Sequence, residues 1–310
     1  MPYSFVSFPS LSTAFRRVKE NHGCAGVDGV TVDEFEVDLN RKLSMLSDDV
    51  KNKVYSPLPL LKILVDKGKG DGEARELCIP TVRDRVLQAA VFEMIEPILE
   101  KEFEECSFAF RKGRSVRQAV YRIKDYYDDG YRWVVDADID AFFDSVDHGL
   151  LIEKVERYIK DESIQHLIRL WITAEVWDGK SLKIMDKGIP QGSPVSPILA
   201  NLFLDELDEA MLKEKLRYIR FADDFLILCK TPENAKDALA FTNEMLDTLL
   251  LKLDEADIVS FDDGFRYLGV IFVRSLIMTP FDKPKKERKV LYYPPPMNMG
   301  AYLLKKKWES

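Results

Sequence analysis

The chain has 310 residues, 46% hydrophobic and 32% charged, with a formal net charge of −8, a composition that excludes bulk disorder and, taken alone, argues against nucleic acid as a partner. No apolar run approaches the roughly 20 residues of a membrane helix, and the start lacks the cationic flank and apolar stretch of a secretory signal. Cys24, Cys78, Cys106 and Cys229 stand far apart with no Cys-x-x-Cys pair, and with three scattered histidines they exclude a structural zinc site and fit a reducing, cytoplasmic setting.

The first 60 residues read as short helices and turns, with no internal repeat. Gly26-Val27-Asp28-Gly29 is a turn, and Thr31 is placed as the N-cap of a helix running to Leu46. The apolar stretches 60–65 and 77–79, joined by the glycine-rich basic loop 67–72, predict a hairpin. Thr81 then caps a long helix, because Val86, Ala89, Ala90, Met94 and Ile95 recur at helical spacing, and it ends or restarts near Pro97. Residues 107–132 carry seven basic side chains against three acidic ones, and residues 133–165 nine acidic against three basic. Such a switch supplies cationic surface for phosphates and carboxylates for a metal. Two solvated helix faces in succession give the same alternation.

Residues 133–139 predict a strand and a helix follows from about His148. Residues 180–186 read as another strand, 188–193 as a loop, and Ser193-Pro194 as the N-cap and first residue of the next helix. Two apolar strands, 218–221 and 225–229, flank Ala222-Asp223-Asp224. Thr231 or Pro232 opens a helix to about Leu253, and 258–261 with 266–273 predict a last hairpin around Asp262-Asp263-Gly264. Strands mixed with helices and hairpins give an α+β fold. After Thr279 the chain turns charged and then proline-rich, as a linker or domain edge does.

The chemistry centres on Asp223 and Asp224. Two carboxylates at a turn between strands that seek burial repel each other and raise each other's pKa, and a divalent cation relieves that repulsion. A plain aspartate-rich hairpin turn is the alternative. Asp138 ends the strand 133–139, 85 residues upstream. A third carboxylate there completes a set able to hold two Mg²⁺ ions through oxygen ligands, about 4 Å apart.

Six segments together resemble bacterial reverse transcriptases of the group II intron type. Asp138-Ile139-Asp140-Ala141-Phe142-Phe143-Asp144, Gly188-Ile189-Pro190-Gln191-Gly192-Ser193-Pro194 and Phe221-Ala222-Asp223-Asp224 are similar to that family's ordered palm motifs. Arg75-Glu76-Leu77-Cys78-Ile79-Pro80-Thr81-Val82-Arg83-Asp84-Arg85 and Ser107-Phe108-Ala109-Phe110-Arg111-Lys112-Gly113-Arg114-Ser115 resemble its fingers motifs, and Tyr267-Leu268-Gly269 the motif that closes the palm. The resemblance spans about residues 20–275 in correct order.

The resemblance implies a right-hand polymerase fold: fingers over 1–132 with part of the palm helices, and a palm over 133–279. The stretch 280–310 is then a linker or the start of a thumb or integrase domain, with the thumb short or missing. It implies an RNA-directed DNA polymerase that uses two Mg²⁺ ions, Mn²⁺ being able to substitute. Asp138 and Asp223 ligate the metals, Asp224 supports them, and the Ile139 carbonyl completes a shell. Gln191 sits against the incoming nucleotide. Phe143 is the aromatic gate that disfavours a ribose 2′-hydroxyl, or else a core aromatic beside Phe142. Arg75 grips the triphosphate with Lys69 as a second cation, and Arg111 and Arg114 contact the template. Asp136, Asp140, Asp144 and Asp147 are read as non-catalytic, either alternating away from Asp138 or lying past it, and His148 as a cap or packing residue.

The family's usual glycine and proline are replaced by Ala109 and Lys112. Implied partners are an RNA or DNA template–primer duplex and dNTPs, with no membrane. Residues 290–303 resemble the opening strand of the CRISPR integrase, which implies an integrase domain or subunit as partner and spacer acquisition from RNA as the role. The alternatives are a stand-alone retroelement or phage-defence enzyme, a catalytically lapsed nucleic-acid-binding module serving an integrase, and a palm-type RNA polymerase, which Phe143 disfavours.

Overall fold

A computed structural model describes residues 3–66, 74–278 and 290–309. In chain order its strands are β1 (Leu60–Asp66), β2 (Ala74–Ile79), β3 (Trp133–Ile139), β4 (Val176–Trp177), β5 (Leu182–Lys183), β6 (Arg217–Phe221) and β7 (Asp224–Cys229). They continue with β8 (Leu253–Ser260), β9 (Phe265–Tyr267), β10 (Val270–Val273), β11 (Leu276–Met278) and β12 (Val290–Tyr292). The chain packs as two compact units, one of residues 1–98, 155–197 and 286–310, the other of 99–154 and 198–285. Among the described residues no helix is long and apolar enough to cross a membrane.

The first unit is built on the predicted β1–β2 hairpin, antiparallel from Leu61↔Ile79 to Asp66↔Ala74. Along the other edge of β1 lie β4, parallel, and β12, antiparallel with Leu64↔Tyr292. Leu61, Ile63, Val65 and Ile79 close a small core with Val27 and receive Met297 and Met299. The C-terminal stretch therefore belongs to this unit: Met297 N donates to the Val27 carbonyl and the Tyr293 hydroxyl to that of Ala25, both at 2.9 Å. Thr31 and Glu34 form a full capping box. The helix they start, Val32–Glu36, stops early, because Asp38 takes a left-handed φ of 60° before a second helix, Leu39–Lys51. Thr81 caps the helix Val82–Leu99 as expected, its Oγ1 accepting from Asp84 N at 3.2 Å, and Pro97 lies inside that helix.

The second unit holds an antiparallel sheet in the order β6-β7-β3-β8. Val134, Leu226 and Leu228 face the helix Val116–Asp128 through Ala119, Val120 and Ile123. The same core takes in Phe261, Phe265 and Phe272; the Phe265 ring stacks on Phe272 and meets Phe261 edge-on, both at 5.1 Å centroid spacing. The helix Pro232–Thr248 packs on β3, β7 and β8.

The last hairpin forms differently from its prediction. The strand β8 starts at Leu253 and pairs with β3, while β9, β10 and β11 make a separate three-stranded sheet. The turn at Asp262-Asp263-Gly264 redirects the chain rather than folding it back. Ser260 Oγ accepts from the Asp262 and Asp263 amides, and Phe261 N donates to the Arg132 carbonyl at 3.0 Å. The strand read over 180–186 shrinks to β5, and the helix placed at Ser193-Pro194 begins at Ser196. Gly192, at φ +119°, and Ser193, bonded to Gln88 Oε1 at 2.9 Å, hold that segment as a loop. The helix from Pro232 ends at Thr248, short of the expected Leu253, and Leu250 then turns left-handed at φ 57°.

Candidate active site

The site grows out of the pleat of β3. Side chains two apart on a strand share a face, so Val134, Asp136 and Asp138 point the same way. Residues directly opposite across a ladder also share a face. Val134 pairs with Leu228, Asp136 with Leu226 and Asp257, and Asp138 with Asp224. The face that begins in the apolar core thus ends in carboxylates. Asp136, read from sequence as turned away from Asp138, is on its face, because 136 and 138 have the same parity. That parity was legible in the sequence; the presence of Asp257 needed the β3–β8 pairing.

The turn between β6 and β7 has two residues, Ala222 and Asp223, with Phe221 paired to Asp224. Ala222 has φ 65° while Asp223 does not turn positive, the pattern of a type II′ hairpin turn, where glycine is the usual first residue. Left-handed backbone costs an alanine about 1–2 kcal/mol. Across β3, the ladder to β8 slips between Ala137 and Ile139, so Asp254 and Glu255 oppose Asp138 alone. Bulges of this kind end pairing and re-aim side chains next to active sites. Ile139 is buried, and its amide donates to Asp138 Oδ1 at 3.0 Å.

Electrostatics concentrate at this end of the sheet. Burial first, then Asp136, Asp138 and Asp223, push the Asp224 carboxyl up to about 7. Burial first, then Asp257 and Asp138, push Asp136 up to about 6. Besides burial, the groups that raise both carboxyls are themselves carboxylates, and crowded carboxylate oxygens suit a hard divalent cation. Among the described residues no group of three or more His, Cys, Asp or Glu side chains is placed so that it could by itself hold a metal ion. Mg²⁺ does not require one: it keeps several waters and is held by one or two carboxylates plus substrate phosphates. Asp138 and Asp224, opposite each other on one rung, supply the one or two carboxylates such an open site would need, with Asp223 next in the turn.

Phe143 lies in a short helix, Phe142–Ser145, that follows left-handed Ala141. Phe142 is the core ring, against Phe203 at 6.2 Å, and Phe143 sits edge-on to it at 5.4 Å, only half-buried. Asp147 accepts from Leu150 N at 2.9 Å, so the carboxylate before His148 caps the next helix.

Arg111 is corrected by the structure. Its guanidinium is buried and every N–H has an acceptor: the Glu100 carboxylate and the carbonyls of Phe103, Glu104 and Ser107. It ties its own loop together and has no donor left for a template phosphate. Arg114, by contrast, is part-exposed, with its guanidinium over the Phe108 ring at 5.6 Å.

Arg75 and Gln191 belong to the first unit. Arg75 stands exposed on β2 opposite Val65. The Gln191 carbonyl accepts from Cys78 N at 2.7 Å. A Cβ on Gly192 would come within 3.1 Å of the Cys78 carbonyl, so glycine permits that contact. Lys69 lies outside the described residues.

With this geometry in hand, residues 66–272 match the family described as "Reverse transcriptase (RNA-dependent DNA polymerase)". The chain is similar to protein YkfC of Escherichia coli strain K12, at 31% identity over 80% of this chain and 76% of that protein. It is also similar to the group II intron-encoded protein LtrA of Lactococcus lactis subsp. cremoris, at 33% identity over 70% of this chain and 36% of LtrA. Among solved structures, telomerase from Candida albicans has a TM-score of 0.59 at 13% identity, covering 81% of this chain and 50% of that chain. That likeness shows the α+β right-hand polymerase fold. A two-carboxylate rung beside a strained turn, on that fold and inside that sequence match, places the chain in the reverse transcriptase family of RNA-dependent DNA polymerases.

Proposed function

We propose that this chain extends a primer 3′-hydroxyl with dNTPs on an RNA template, at Asp138, Asp223 and Asp224. The observation that carries the reading is the rung Asp138↔Asp224 next to the Ala222-Asp223 turn. Two Mg²⁺ ions held there would activate the hydroxyl and offset charge on the leaving pyrophosphate. The protein's own contribution is positional. The β3–β7 ladder fixes the rung, with Asp138 exposed and Asp224 half-buried, and the turn sets Asp223 beside it.

Half-buried Phe143 is the candidate gate against a ribose 2′-hydroxyl, and Arg75, Gln191 and Arg114 are the candidate phosphate, nucleotide and template contacts. Primer extension on RNA with Asp223→Ala tests the core of this reading. Extension is expected to vanish while the melting temperature holds, and retained extension overturns it. Comparing dNTP with NTP incorporation for wild type and Phe143→Ala tests the gate, since the variant should relax the preference.

A finer reading, spacer acquisition from RNA with a CRISPR integrase, rests on the resemblance of residues 290–303 to that integrase's opening strand, a stretch that here pairs with β1 and packs beside Val27. Pull-down of an integrase encoded beside this gene tests it. Absence of any CRISPR array or integrase at the locus favours the stand-alone retroelement or defence enzyme.

A further inference from the structure

The two carbonyls that bracket Asp223 are each held by a buried donor from outside the turn. Arg220 Nη1 donates to the Ala222 carbonyl, and the Tyr267 hydroxyl to the Asp224 carbonyl, both at 3.0 Å. Arg220 is fixed in turn. Its Nε and Nη2 bond the Asp208 carboxylate at 2.7 and 2.5 Å, and Nη1 also reaches Asn201 Oδ1 at 3.0 Å. Asn201 is oriented by its own bond to the Ala109 carbonyl at 2.9 Å. Above and below, the backbone of Arg220 is clamped by Cys106 O at 2.8 Å and Phe108 N at 3.0 Å.

The Arg220–Asp208 pair has both side chains at 0% exposure. Burying such a pair is costly, and well-packed apolar residues often serve stability as well. An apolar pair could not donate to the carbonyl of Ala222, the residue whose left-handed backbone lacks glycine's freedom.

We propose that Arg220 is a positioning residue: with Tyr267 it grips the turn on both sides of Asp223 and sets where the Asp223 and Asp224 carboxylates stand relative to Asp138. The proposal rests on reading those carboxylates as ligands of a divalent cation.

The test is Mn²⁺ binding by the whole chain, followed by electron paramagnetic resonance without substrate, alongside Mg²⁺ titration of primer extension. Tyr267→Phe removes one donor and keeps the ring. Arg220→Met with Asp208→Leu removes the other and leaves no charge stranded. Arg220→Lys, which cannot reach both Asp208 and Ala222, replaces the double variant if that does not fold. Folded variants should bind Mn²⁺ about 10-fold more weakly, the scale seen when groups that orient metal ligands are lost. They should need correspondingly more Mg²⁺, with KM for dNTP little changed. Asp223→Asn is the control and should lose Mn²⁺ binding. If it does, and the folded variants bind Mn²⁺ like wild type, the positioning role falls and the site reading stands. If Asp223→Asn itself binds like wild type, the site reading falls and the proposal with it.

Discussion

Along one face of the β3–β7 ladder, the rung Val134–Leu228 lies in a closed apolar core, while the rung Asp138–Asp224 brings two carboxylates together. Backbone, pleat and pairing are the same at both ends. The apolar end is stabilised by burial, whereas at the acidic end partial burial works against the Asp136 and Asp224 carboxylates while Asp138 stands exposed. The sheet thus separates holding the fold from holding the site by a distance of four residues along β3.

That contrast can be broken most sharply with Asp138→Ala. Primer extension should fall about 10³-fold or more, several kcal/mol of transition-state stabilisation. The melting temperature should hold or rise, because one of the mutually repelling carboxylates is gone. A drop in stability matching the drop in activity would make Asp138 structural.

At the other end, Phe261→Ala should cost about 3–5 kcal/mol of stability, as buried aromatic truncations do. Phe261 is 1% exposed, with Tyr127 and Phe265 rings at 4.9 and 5.1 Å. Denaturant unfolding would show the loss, while kcat per folded molecule stays near wild type.

The two arginines of the 107–115 motif sharpen the comparison further. Arg111→Ala takes a donor from Glu100 and from the carbonyls of Phe103, Glu104 and Ser107, of which Glu104 keeps the Ser107 amide. It should lower stability by about 1–3 kcal/mol, the cost of buried acceptors left without a donor, without changing duplex affinity of the folded protein. Arg114→Ala should do the reverse. It weakens template–primer binding and reduces the salt dependence by about one unit of slope, as read from binding isotherms at several salt concentrations.

The smallest effect concerns Asp205, on the same helix as Asp208. Asp208 has Arg220, whereas Asp205 Oδ1 is buried without a hydrogen-bond partner. Burial first, then Asp208 and Glu209, push its carboxyl up to about 7. A folded-state value above the unfolded one means that stability is fully present below the ordinary carboxylate range and is lost as pH rises through about 7. Asp205→Asn should therefore melt about 2–4 °C higher at pH 8 and show no gain near pH 4. Thermal melts at the two pH values decide it.

Much of this was legible in the sequence. The apolar runs around Ala222-Asp223-Asp224 placed β6 and β7 to within a residue, and residues 133–139 are β3 as expected. The hairpin of β1 and β2, the caps at Thr31 and Thr81 and the carboxylate ending β3 could all be read from local pattern. Asp136 was misread although its parity with Asp138 was in plain view. Arg111 looked like one more cation in a basic run, because a sequence does not show which guanidinium its own loop will enclose.

Local composition determined the strands, the turn and the identity of Asp138, Asp223 and Asp224, because periodicity and turn chemistry act over a few residues. The tertiary structure alone decided that Asp138 faces Asp224, that Asp257 joins them, and that β8 pairs with β3 instead of closing the last hairpin. It also decided that Arg220 and Tyr267 grip the turn. Apart from the Arg220 bond to Ala222, which spans two residues, those are pairings between segments about 40 to 120 residues apart, and the strand register is set by which faces can be buried together, a property of the assembled sheet and not of any one strand.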